Sequence, residues 1–118
     1  MKRNDIIIYG AIIGVIAILV LFVFLQPSIE GKYDDFAKCL TNSGAKMYGT
    51  DRCSHCSDQK ILFGSSFSHV NYINCDYQRN ECIAAGVDRY PTWIINNKVN
   101  LGSQSLATLA SLSGCSLE

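Results

Sequence analysis

Residues 45–64 read AKMYGTDRCSHCSDQKILFG. AKMYG has the composition of a short strand, and Cys53 and Cys56 follow it directly, with Ser54 and His55 between them. From Cys56 onward CSDQKILFG continues as a helix that Gly64 stops. Cys53 therefore falls where a strand turns into a helix. Three chemistries use such a pair: half of a zinc site, a structural crosslink, or a redox centre that exchanges electrons with other thiols.

The remaining cysteines weigh against zinc. A structural zinc site usually presents two closely spaced knuckles. Cys75 and Cys82 stand too far apart to form a second one, so Cys53, His55 and Cys56 would have only a single distant cysteine to complete a set. No metal is expected.

Composition narrows the setting. The chain has 118 residues, enough for one small domain, and ten Lys plus Arg balance ten Asp plus Glu. No basic patch or run is present, so nothing points to nucleic acid. Residues 6–25, IIIYGAIIGVIAILVLFVFL, form an uncharged, largely apolar run. It is about as long as one helix needs to cross a hydrocarbon core of roughly 30 Å. It is longer than the apolar core of a signal peptide, and QPSIEGKYDD after it offers no clear small-x-small cleavage pair. The expectation is an uncleaved single-pass anchor. Lys2 and Arg3 favour a cytoplasmic N-terminus, which puts the rest of the chain outside the cytoplasm. Gly10 and Gly14 form a small-xxx-small pair, a spacing that is usually incidental. All six cysteines lie beyond the anchor, as expected for a small domain in an oxidising compartment. The expected division is 1–5 cytoplasmic, 6–25 transmembrane, 26–32 linker and 33–118 folded domain.

Within that domain YDDFAKCLTNSG, 33–44, spaces Tyr33, Phe36, Ala37 and Leu40 as a helix, with acids in its first turn. VNYINC, 70–75, alternates as a strand, and Arg79 to Ala85 read as a short helix before Gly86. In YPTWIINNKVNLG, 90–102, Thr92 to Ile95 and Lys98 to Leu101 form a hairpin about Asn96-Asn97. SLATLASLSG, 105–114, is an amphipathic closing helix stopped by Gly114. The predicted order is α-β-α-β-α-β-β-α.

A βαβ unit followed by a ββα unit, with C-x-x-C at the first strand-to-helix turn, resembles the thioredoxin-like fold: a central mixed sheet flanked by helices. The likeness sharpens over GAKMYGTDRCSHCSDQKILFG, YINCD, the EC, AAGV and RYPTW segments of 81–93, and NNKVNLGSQSLATLASLSG. Together these resemble the thioredoxin-like domain fused to, or partnered with, bacterial, archaeal and plant vitamin K epoxide reductase homologues. In that family the domain oxidises exported protein thiols and passes the electrons to the membrane reductase, which reduces a quinone. One apolar run is too short for the four-helix reductase, so the resemblance implies a separate membrane partner of that kind. It implies no organic cofactor.

The resemblance also assigns roles. Cys53 would be the exposed nucleophile, favoured as thiolate by free N–H groups at the helix start, and Cys56 the resolving thiol. His55 would tune the pair toward oxidation by stabilising the Cys53 thiolate, much as the Pro-His dipeptide does in strongly oxidising periplasmic relatives; the plainer alternative is a solvent-exposed helix residue. Tyr90, Pro91 and Thr92 match the cis-proline loop that offers backbone to a substrate strand. Trp93 reads as core. Two positions depart from the pattern. Arg52 replaces the usual aromatic before the first cysteine, and Met47 stands where thioredoxin keeps a buried acid. Related domains carry a further cysteine pair near Cys75 and Cys82, which suggests a structural disulfide there. Cys39 and Cys115 would then bridge the first and last helices of the domain or remain as buried free thiols; sequence alone does not fix the pairing.

Overall fold

The computed structural model describes residues 1–27 and 30–118. Two positions of the expected 26–32 linker, 28 and 29, lie outside the described residues.

Helix α1 (Arg3–Phe24) takes up the apolar run. It is the one helix among the described residues that is long and apolar enough to cross a membrane. At about 1.5 Å per residue its length matches the roughly 30 Å of a hydrocarbon core.

The other elements follow the predicted order: α2 (Asp34–Asn42), β1 (Lys46–Gly49), α3 (Ser54–Phe63), β2 (Tyr72–Asn74), α4 (Arg79–Ala84), β3 (Thr92–Ile95), β4 (Lys98–Leu101) and α5 (Leu106–Ser113). A 3-10 helix over Gly64–His69 joins α3 to β2. The four strands form one mixed sheet in the order β2-β1-β3-β4. β1 runs parallel to β2 and antiparallel to β3, and β3 pairs antiparallel with β4.

The strand alternation splits the core in two. Met47, Trp93 and Ile95 face one side of the sheet, where Phe36, Ala37 and Leu40 of α2, Cys56 and Phe63 of α3 and Leu109 of α5 pack on them. Tyr48 and Ile73 face the other side, against Cys75, Cys82 and Ile94. Asn96 and Asn97 make the β3–β4 turn with φ of 51° and 62°. Two successive positive φ values are what a two-residue type I′ hairpin needs, and asparagine tolerates them better than most residues.

Two disulfides brace this core. Cys39 of α2 is bonded to Cys115, just past α5, and Cys75 to Cys82 across the β2–α4 connection. Cys53 and Cys56 are free thiols.

Candidate functional site

Cys53 is the N-cap of α3, in extended backbone with φ −93° and ψ 118°. Its Sγ accepts a hydrogen bond from the backbone N–H of Cys56 at 3.2 Å. A helix start leaves its first N–H groups without intrahelical partners, and here the sulfur takes one of them. The two thiols have opposite surroundings. Cys53 is partly open to solvent, whereas Cys56 is 0 % exposed. Burial pushes the Cys56 thiol up to about 12, and its contact with Cys53 adds to the rise, while the Thr50 backbone and the Lys60 ammonium pull the other way. A buried sulfur loses the hydration that its anion needs.

Gly49, the last residue of β1, makes room for this sulfur. A methyl group on Gly49 would stand 2.8 Å from Cys56 Sγ and 3.1 Å from Tyr72 Cε2. Met47, two residues earlier, is fully buried in the apolar core and pairs in register with Tyr72 and Trp93.

The residues around the pair are dispersed. The His55 side chain is 75 % exposed, with Nδ1 3.8 Å from Asp58 Oδ2; among the described residues no hydrogen bond joins it to Cys53. Arg52 is 84 % exposed and its guanidinium donates to Asp76 Oδ1 at 2.7 Å. The Tyr90–Pro91 peptide bond is cis. Pro91 is buried, and its carbonyl accepts from the Gly102 N–H at 2.8 Å. Thr92 Oγ1 donates to the Arg89 carbonyl at 2.6 Å. Tyr90, half exposed, shares an open cleft of about 390 Å³ with Arg52, Cys75, Asp76 and Arg79. The residue before Cys53 and the residue before Pro91 thus line one depression.

Two residues of the site escaped the sequence reading. Gln59, one turn past Cys56 on the same face of α3, is fully buried. Its Oε1 accepts from Trp93 Nε1 at 3.0 Å and from the Gln104 N–H at 2.7 Å, and its Nε2 donates to the Gln104 carbonyl at 2.9 Å. One side chain thereby fixes the cysteine helix to β3 and to the β4–α5 loop. Its spacing of three from Cys56 was the available signal. The second residue is Tyr72, whose ring lies under the Lys60 ammonium, 4.2 Å from the ring centroid.

An accessible thiol and a buried thiol on one helix turn define a dithiol site. In an alignment of 91 residues that covers 70 % of the chain, it is 43 % identical to a protein of Arabidopsis thaliana named thiol-disulfide oxidoreductase LTO1. The match takes in 24 % of that plant protein, so the chain spans about a quarter of its relative's length. No protein-family model matches the chain.

Proposed function

We propose that this chain is a thiol–disulfide oxidoreductase of thioredoxin-like fold. It is anchored by α1, with residues 33–118 outside the cytoplasm. It oxidises exported protein thiols and hands the electrons to a membrane protein of the vitamin K epoxide reductase kind. The observation that carries this reading is the Cys53–Cys56 turn: an accessible sulfur at a helix start backed by a buried one. The identity with a plant protein that bears the oxidoreductase name supports it. The membrane partner rests on the family resemblance, and the topology on Lys2 and Arg3 before α1.

In the oxidised site a substrate thiolate bonds to Cys53 Sγ, and the Cys53–Cys56 bond breaks with its electron pair on Cys56. A second substrate thiolate then attacks the substrate sulfur of this mixed disulfide and releases Cys53 as thiolate. The substrate is oxidised by two electrons and the site becomes a dithiol. Reoxidation reverses the roles: Cys53 attacks the partner's disulfide, and Cys56 attacks Cys53 Sγ to free the partner. Tyr90, Pro91 and Thr92 steady the substrate backbone beside Cys53. His55, when protonated, adds positive charge near the Cys53 thiolate and favours the reduced form.

The reduction potential tests the direction. An oxidase of this kind is expected nearer the value of about −120 mV found for strongly oxidising dithiols than thioredoxin's value of about −270 mV. The measurement is equilibration of the full chain, in detergent, with glutathione buffers, alongside oxidation of a reduced model protein. A value near −270 mV, with rapid insulin reduction, would instead indicate a reductase or isomerase fed by a membrane electron carrier. Absence of any exchange would leave only a binding module.

Reoxidation also carries a pH signature. The attacking species is the Cys56 thiolate, and Cys56 holds its proton up to about 12. Far below that value the thiolate fraction grows tenfold per pH unit. Release of a small thiol from a mixed disulfide on Cys53 should therefore accelerate about tenfold per unit between about pH 6 and pH 8. Stopped-flow absorbance reads the rate. A pH-independent release would mean that Cys56 is not the attacking group.

A further inference from the structure

The Tyr72 hydroxyl is buried and has no hydrogen-bond partner among the described residues. A phenol in that state has lost water and gained nothing in return, and such groups in a folded protein call for an explanation. Its position supplies one. Tyr72 lies on β2, in register with Met47, and packs on the core face that holds Cys56. A methyl placed on Gly49 would be 2.8 Å from Cys56 Sγ and 3.5 Å from Tyr72 Oη. The two atoms border the same small space, which a glycine alone keeps open. Among the groups around Cys56, Met47 is apolar and His55 turns outward to Asp58.

We propose that Tyr72 is a catalytic residue whose Oη–H donates a hydrogen bond to the Cys56 thiolate as the Cys53–Cys56 disulfide opens. This deepens the redox reading of the pair and rests on it. When a thiolate bonds to Cys53 Sγ, the breaking bond leaves its electron pair on Cys56 Sγ, in a site with little water. The phenol then meets the anion, keeps its own proton throughout, and gains the partner it lacks in the resting state. Cys56 takes its proton afterwards from water. In reoxidation the same bond forms with the Cys56 thiolate before it attacks. Hydrogen bonds to a charged group are stronger than neutral ones, so the contact favours the thiolate over the thiol.

The surroundings keep the donor protonated. Burial raises the Tyr72 phenol above its usual range, and the negative charges of Asp51, Cys56, Asp76 and Cys53 act in the same direction. Lys60 lies over the Tyr72 ring, with its ammonium 3.4 Å from Asp51 Oδ1.

The test is Tyr72→Phe in the full chain, in detergent micelles, with three readouts. The rate at which dithiothreitol opens the Cys53–Cys56 disulfide should fall about tenfold or more. The neutral-pH reduction potential should stay as it is, because Cys56 is a thiol in one resting state and a disulfide in the other. The melting temperature should hold or rise, since an unpartnered polar atom is removed. Tyr72→fluorotyrosine, a stronger phenol donor in the same space, should open faster than the native chain. An opening rate within about twofold of the native one for Tyr72→Phe, or a slower rate accompanied by a lowered melting temperature, would overturn the proposal. Failure of the native chain itself to react would instead remove the redox reading, and the two failures are thus distinct.

Discussion

Replacing Cys53 with serine is expected to bring thiol–disulfide exchange to background, a loss of at least about a thousandfold, while Cys56→Ala keeps the attack of Cys53 on a partner's disulfide and accumulates mixed disulfides. The asymmetry follows from the two environments. Cys53 is reachable at the start of α3, and its sulfur already sits against the Cys56 N–H, a donor that serves a thiolate better than a thiol. Cys56 has no exposed surface, so an outside protein cannot reach it and it reacts only with Cys53. Removing Cys53 therefore closes the only entrance. Removing Cys56 leaves the entrance open and takes away the exit. The readout is non-reducing electrophoresis and mass spectrometry of adducts formed with a disulfide-bonded protein substrate, since a lone Cys53 thiolate forms a mixed disulfide by breaking a disulfide in its partner. If Cys53→Ser formed adducts as well as Cys56→Ala does, the assignment of nucleophile would be wrong. If neither altered the chain's biological activity, the redox function itself would be.

Much of this site is legible in the sequence, because the signals are local. Cys53 follows a strand and opens a helix that ends at Gly64, and the structure has those boundaries within a residue. Asn96-Asn97 marks a hairpin because positive φ is costly for most side chains. The alternation of 70–75 sends Ile73 to one face and Tyr72 to the other. What stayed hidden depends on partners far away in the chain. Gln59 is polar on a helix of low amphipathicity, and only Trp93 and Gln104, brought in by β3 and the β4–α5 loop, make it a core residue. Tyr72 reads as an ordinary strand aromatic until Gly49 and Cys56 are placed beside it. His55 shows the opposite limit. Its place inside the pair is plain in the sequence, yet its side chain is 75 % exposed and lies 3.8 Å from Asp58, one turn along α3. GSSFSH, 64–69, lacks any period, and its 3-10 turn follows from the path between α3 and β2.

The second large effect concerns stability. Cys39→Ala together with Cys115→Ala is expected to cost about 4.5 kcal/mol if loop closure dominates, because the bond closes a separation of 76 residues. The same arithmetic gives Cys75→Ala with Cys82→Ala about 2.4 kcal/mol, for a separation of 7. Both figures are upper values on that entropic account, since residual structure in the unfolded chain reduces them. Packing works against this order. Cys75 and Cys82 are both buried in the smaller core cluster, whereas Cys39 is exposed and only Cys115 is buried. Alanine at 75 and 82 thus also removes apolar contact, which narrows the gap. Denaturant unfolding of the two double variants against the native chain measures the balance. A larger loss for Cys39 and Cys115 means that tying α2 to the segment after α5 restrains the unfolded chain most. A larger loss for Cys75 and Cys82 would mean that core packing behind Tyr48 and Ile73 outweighs loop closure. For a domain this small each kcal/mol is worth about 4–8 °C of melting temperature, so the two losses are also read as separate shifts of the melting temperature. Neither pair lies in the Cys53–Cys56 turn, and each double variant is expected to keep exchange activity at temperatures where it remains folded. Loss of exchange in a folded Cys39→Ala, Cys115→Ala variant would mean that this bridge holds the geometry of the site as well as the fold.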